Sequence, residues 1–164
     1  IKGWGHRTVT IRLEDKLKEQ HNSPYVFPHV RGTLTDAYNR AGIDGPDALD
    51  VIETHDCFTT TEYMAIDHFG ITAPGESWKA VEEGIIQRDG SLPINPSGGL
   101  IGGGHPVGAT GVRMLVDAHK QVTGQADGYQ VEGAKTAATL NIGGSATTMV
   151  SFIVEGPGAA AGHG

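Results

Sequence analysis

The sequence contains a single cysteine, Cys57, among 164 residues. A lone thiol excludes an internal disulfide framework and is either a small buried apolar side chain or a reagent. No apolar run reaches the roughly 18 residues needed to cross a bilayer, and no secretory pattern opens the chain. A soluble domain of cytoplasmic type is therefore expected. Basic charge is scarce as well: 12 Lys and Arg stand against 19 Asp and Glu, a formal net charge of −7. That balance argues against a general nucleic-acid binder, which needs a cationic face to displace counterions from phosphate. The acidic residues are scattered rather than blocked and read as a solvated surface. There is no internal repeat.

Familiar ligand motifs are missing too. Without H-E-x-x-H or C-x-x-C there is no standard zinc set, so no metal is expected, although His55, Cys57 and His105 could still converge in the fold. A phosphate-cradling P-loop needs Lys and then Ser or Thr after its second glycine, whereas residues 99–104 are followed by His105 and Pro106. A dinucleotide fingerprint starting at Gly102 would need glycine where Val107 stands. The G-x-S-x-G nucleophile elbow fails around Ser97 and Ser145, with Asn95 in its first position and Thr147 in its last. The chain opens on Ile1 rather than Met, and I-K-G-W-G-H-R reads like the middle of a polypeptide. A piece of a longer protein is expected, with one domain over residues 1–155 and a low-complexity tail over 156–164.

What the sequence does have is glycine, concentrated in residues 95–112, N-P-S-G-G-L-I-G-G-G-H-P-V-G-A-T-G-V, where seven glycines surround His105. Such a stretch gives up packing and adds chain entropy, so it makes sense where backbone must bend sharply or approach something closely. A helical pattern follows at once through Val112, Leu115, Val116, His119 and Val122. His105 thus precedes a helix N-terminus, whose positive end favours the neutral imidazole that can accept a proton. It is a candidate catalytic base.

The remaining pattern predicts a strand over residues 8–13, a surface connection over 14–28, and a helix from Thr33 ending at Gly42. A strand is predicted over 48–53, then a helix from Thr59 to about Phe69 with a capping box between Thr59 and Glu62. A short helix follows over 77–86, then loop over 87–96, the glycine-rich stretch and its helix to about Gly124. Strands over 135–142 and 146–154 form a hairpin around Gly143-Gly144-Ser145. The order predicts an α/β layered domain with a mixed sheet. His55 and Cys57 lie between the second strand and its helix, where α/β folds gather sites. His55 reads as a ligand, a base, a donor to an oxyanion or a structural histidine. A helix N-terminus beside Cys57 would favour its thiolate.

Four motifs together resemble the C-terminal half of thiolases: His55-Asp56-Cys57-Phe58, Asn95-Pro96-Ser97-Gly98-Gly99, Gly104-His105-Pro106-Val107-Gly108-Ala109-Thr110-Gly111 and Asn141-Ile142-Gly143-Gly144. The H-D-C-F form is similar to the sterol-carrier-protein-2 type, where other thiolases carry N-E-A-F. The resemblance implies the C-terminal half of the thiolase fold, a layered α/β domain with a mixed five-stranded sheet flanked by helices. It implies Claisen condensation of acyl-CoA, or thiolytic cleavage of 3-ketoacyl-CoA, with coenzyme A thioesters as substrates and no other cofactor. His105 would activate the nucleophilic cysteine and help form an oxyanion hole for the enolate, with His55 near that hole. The backbone N–H of Gly143 would stabilise the acyl-enzyme oxyanion, and Phe58, Asn141 and Pro106 would line the substrate path.

Two departures follow. Many thiolases place Cys-x-Gly where this chain has Asn141-Ile142-Gly143, so proton transfer at the substrate α-carbon would fall to Cys57. No second cysteine then remains to hold the acyl group, so the nucleophile must come from an N-terminal half. The expected partners are that half, the acyl-CoA substrate and further copies of the full-length protein in a homo-oligomer. A carbon–carbon lyase or aldolase acting on a CoA-linked steroid side chain, and a non-catalytic scaffold subunit, are the alternatives.

Overall fold

The computed structural model describes residues 1–157. Four strands form one mixed sheet in the order β1-β4-β3-β2. These are β1 (Gly3–Thr8), β2 (Val51–Thr54), β3 (Thr136–Gly143) and β4 (Thr148–Glu155). β3 and β4 make the expected antiparallel hairpin, β1 pairs antiparallel with the far edge of β4, and β2 runs parallel to β3. On one face α2 (Pro28–Ala41) and α3 (Thr59–Phe69) close the main core around Leu34, Ile52, Phe69, Leu140 and Ile153. On the other, α6 (Thr110–Thr123) packs Ala118 and Val122 against Val51, Ala137 and Val154. The shorter helices are α1 (Leu13–Gln20), α4 (Ser77–Glu82) and α5 (Gly99–Gly103). Among the described residues no helix is long and apolar enough to cross a membrane.

The sheet has four strands rather than the expected five. The segment beside β2 contributes a single parallel bridge, Ile52 to Ile94, with Ile52 N–H donating to Pro93 O and Asn95 N–H to Ile52 O. Pro93 and Pro96 flank that rung, and proline has no N–H with which to extend a ladder.

The first strand lies at Gly3–Thr8, not at 8–13. Its G-W-G-H-R sequence reads as loop because glycine is a poor strand former, yet contact with α2 requires glycine there. A Cβ on Gly5 would sit 1.9 Å from Thr33 O. Residues 14–28, expected as a surface connection, instead contain α1. That helix reverses the usual amphipathic sense, with Leu13 and Leu17 exposed and Lys16 buried, so its periodicity does not signal a helix packed on a core. α2 begins at Pro28, five residues before Thr33, with proline in the first turn. α3 spans the predicted residues, but Phe58 is its N-cap and no side chain caps it. Glu62 accepts a hydrogen bond from Asn95 Nδ2 instead (3.0 Å). α4 stops at Glu82 rather than at residue 86. Most of the expected tail, from residue 158 onward, lies outside the described residues.

Candidate active site

β2 ends at Thr54, and the chain turns at once through His55, Asp56 and Cys57 into α3. His55 stays attached to the sheet, its N–H donating to Leu140 O of β3 at 2.9 Å. The glycine-rich stretch lies beside this turn because Asn95 and Asp56 bind it there. Asn95 Oδ1 accepts from Thr54 N–H at 2.7 Å. The buried Asp56 carboxylate accepts from Leu100 N–H at 2.5 Å, at the start of α5.

His105 follows α5 on an exposed turn. The turn is closed by Pro106, whose carbonyl accepts from Ala109 N–H (2.8 Å), Thr110 N–H (3.0 Å) and the Thr110 hydroxyl (3.2 Å). His105 Nδ1 lies 2.7 Å from that hydroxyl. A hydroxyl has one hydrogen: given to Pro106 O, it leaves Nδ1–H to donate to Thr110 and the lone pair on Nε2; given to Nδ1, it leaves the N–H on Nε2. The first arrangement is the one in which Nε2 can accept a proton. The His55 ring meets the His105 ring edge to face, centroids 4.9 Å apart at 88°. Burial, and then the neighbouring His105, hold His55 below the usual imidazole range, so it is neutral near pH 7.

Both histidines line an open cleft of about 820 Å³, together with Cys57, Phe58, Asn141 and Gly143. Cys57 is half-buried, its Sγ 3.8 Å from Thr61 Oγ1. Asn141 donates from Nδ2 to Met114 Sδ at 3.0 Å. At Gly143 an added methyl would meet nothing nearer than Thr148 O at 3.7 Å, so no close contact within the chain requires glycine there. Six of the seven expected site residues thus share one cleft. Pro106 does not line it, and its carbonyl holds the histidine turn instead. Among the described residues no three His, Cys, Asp or Glu side chains gather to hold a metal ion.

Sequence reading missed the residues that support these groups: Glu53, Asp56, Asn95 and Thr110. Each is a polar side chain inside or next to a motif, a signal that marks the place but not the partner. Glu53, 1% exposed, accepts from Ser97 N–H (3.2 Å) and Ser97 Oγ (2.6 Å). Burial pushes its carboxyl from the usual 4.5 up to about 7, against the opposing pull of the Ser97 bonds. The folded state therefore holds this proton more tightly than the unfolded chain. The contribution to stability is complete below about pH 4.5 and is lost as the pH rises through about 7. The loss is on the order of 3 kcal/mol. Glu53→Gln is expected to abolish that loss, so that its denaturation midpoint relative to wild type improves between pH 5 and pH 8. A difference constant across that range would refute the assignment.

Residues 14–156 match the thiolase C-terminal domain-like family. The chain belongs to that family. This thiolase domain is 43% identical over 108 residues to the acetyl-CoA acetyltransferase of Methanothermobacter thermautotrophicus, an alignment covering 66% of the domain and 28% of that protein. It is 41% identical over 127 residues to sterol carrier protein 2 of Bos taurus, covering 77% of the domain and 23% of that protein. The domain thus spans about a quarter of the length of these curated relatives. Its fold superposes on the solved structure of an Ltp2-ChsH2(DUF35) aldolase with a TM-score of 0.77 at 17% identity, covering 95% of the domain and 39% of that chain.

Proposed function

We propose that this thiolase domain is the C-terminal catalytic half of an acyl-CoA acyltransferase, active only beside an N-terminal half that brings the nucleophilic cysteine. The observation that carries the reading is the cleft shared by His105, held at Nδ1 by the Thr110 hydroxyl, with neutral His55 and with Cys57; with the proton on Nδ1, Nε2 is free as the proton acceptor. Nε2 of His105 takes the proton of the partner thiol, and the thiolate attacks C3 of a 3-ketoacyl-CoA. The C2–C3 bond breaks, and its electron pair takes the Cys57 thiol proton at C2, releasing acetyl-CoA. Coenzyme A then attacks the acyl thioester and returns a proton to Cys57. The partner thiolate leaves and recovers its own proton from His105. Run backwards, the sequence is Claisen condensation.

His55 stabilises the enolate oxygen, and the Gly143 N–H stabilises the acyl-enzyme oxyanion. Phe58 and Val107, 70% and 82% exposed, give the cleft rim apolar surface for the pantetheine arm and the other half. Coenzyme A thioesters are the only small molecules the reaction needs, and the complete enzyme is a homo-oligomer.

Acetoacetyl-CoA thiolysis tests this reading. The domain alone is expected to give no turnover, and its co-expression with an N-terminal thiolase half is expected to restore thiolysis. Turnover by the domain alone, or none after assembly, overturns the proposal.

A further inference from the structure

The turn between β3 and β4 joins left-handed backbone to side-chain bonds from two helices. Three successive residues, Gly144, Ser145 and Ala146, have φ of 57°, 53° and 59°. Two of them carry side chains, which disfavour this left-handed region, so surrounding structure must hold the turn. Thr147 N–H donates to Gly143 O at 2.9 Å, and the Thr147 hydroxyl donates to Gly144 O. The next two carbonyls are taken by side chains from two different helices. Lys16 Nζ of α1 donates to Ser145 O at 2.6 Å and to Thr147 Oγ1 at 3.1 Å. His29 Nε2 of α2 bonds Ala146 O at 3.0 Å.

Lys16 is only 3% exposed. Among the described residues it forms no ion pair, so its ammonium is buried with only neutral oxygens as acceptors. A buried ammonium without a counter-ion is costly and rare. Surface lysines on α1 would support helix formation equally well, so helix propensity does not account for it. Lys16 supplies what the turn lacks, a long donor able to reach two oxygens from outside the sheet. The same helix places Leu13 on the wall of the cleft, so α1 touches both the cleft and the turn that carries Gly143.

We propose that Lys16, with His29 beside it, is a positioning residue. It holds the strained 144–147 turn so that the backbone of Gly143 faces the acyl group. This rests on the acyltransferase reading above for what Gly143 binds, but the clamp itself does not depend on that reading.

Two measurements on Lys16→Met separate the two ideas. Amide hydrogen exchange on the domain itself is expected to rise tenfold or more at Thr147, whose N–H donates to Gly143 O, and to stay unchanged at Ala138 and Leu140 in β3. In the assembled enzyme, kcat for thiolysis is expected to fall tenfold or more with KM within twofold of wild type. Lys16→Arg keeps a long cationic donor that can reach the Ser145 carbonyl and is expected to retain most of both readouts, and Lys16→Gln, a shorter neutral donor, to shift both the same way as Lys16→Met by a smaller factor, which keeps the test available should Lys16→Met fail to fold. Unchanged exchange in the turn, or raised exchange with unchanged kcat, overturns the positioning role. If wild type lacks thiolysis while turn exchange still rises in the variant, the acyltransferase reading fails and the clamp stands.

Discussion

Replacing His105 by asparagine in the assembled enzyme is expected to lower kcat/KM for thiolysis about 1,000-fold or more. It removes both a general base and the activation of the nucleophile. Asparagine keeps a hydrogen-bonding side chain but has no lone pair basic enough to take a thiol proton. Thr110→Val makes a finer test of the same geometry. It deletes the hydroxyl 2.7 Å from Nδ1, leaves the ring free to turn or change tautomer, and is expected to cost about tenfold, the worth of one ordinary hydrogen bond. Cys57→Ala tests the proton step at C2. It is expected to abolish exchange of the acetyl-CoA C2 protons with solvent deuterium and to stop thiolysis with it, because the same thiol protonates C2 and takes up the proton of coenzyme A. Wild-type exchange in that variant would remove Cys57 from the mechanism, and wild-type thiolysis in His105→Asn would remove His105.

Replacing Gly99 by alanine is expected to destabilise the fold by roughly 3 kcal/mol. Left-handed backbone costs about 1 kcal/mol for a residue with a Cβ, and displacing a buried charged acceptor costs about 2 kcal/mol more. Gly99 has φ of 60°, and a Cβ there would lie 2.1 Å from Asp56 Oδ2. Asp56 is short and buried, so it cannot move aside without releasing Leu100 N–H. Because that bond ties the His55–Cys57 turn to the loop leading to His105, activity is expected to fall along with stability. The control is Gly102→Ala, three residues on in α5, where an added Cβ meets nothing within 4 Å. Alanine is the better helix former by about 1 kcal/mol, so this variant is expected to be neutral or slightly stabilised. Thermal unfolding of both proteins measures the contrast, and equal midpoints would refute the clash.

Acid titration of the histidines opposes that of Glu53. Burial holds His29, His55 and His68 below their usual range. Each therefore withdraws stability as the pH falls below about 6.5, where the unfolded chain takes up protons first. The Phe27 N–H that donates to His68 Nε2 at 3.1 Å loses its acceptor when that ring is protonated.

The sequence by itself determined the family of the domain, the α/β order, the β3–β4 hairpin and α3 from Thr59 to Phe69. It also picked out six residues that one cleft brings together. These features are carried by short-range signals: apolar period, helix-ending glycines and motif spacing. Only the tertiary structure decided the rest, because each such feature depends on a neighbour distant in the chain. β1 is a strand because α2 lies against Gly5, a contact that no local propensity encodes. The fifth strand is reduced to one rung because prolines bracket Ile94 beside β2. α1 was illegible because its buried residue is a lysine, and Lys16 makes sense only once a turn 129 residues away presents Ser145 O to it. Likewise the sequence named His105 as a base, but only the fold placed its Nδ1 against the Thr110 hydroxyl, which the carbonyl of Pro106 shares. Pro106, expected on the substrate path, closes the histidine turn with its carbonyl, a bond that no local pattern foretells.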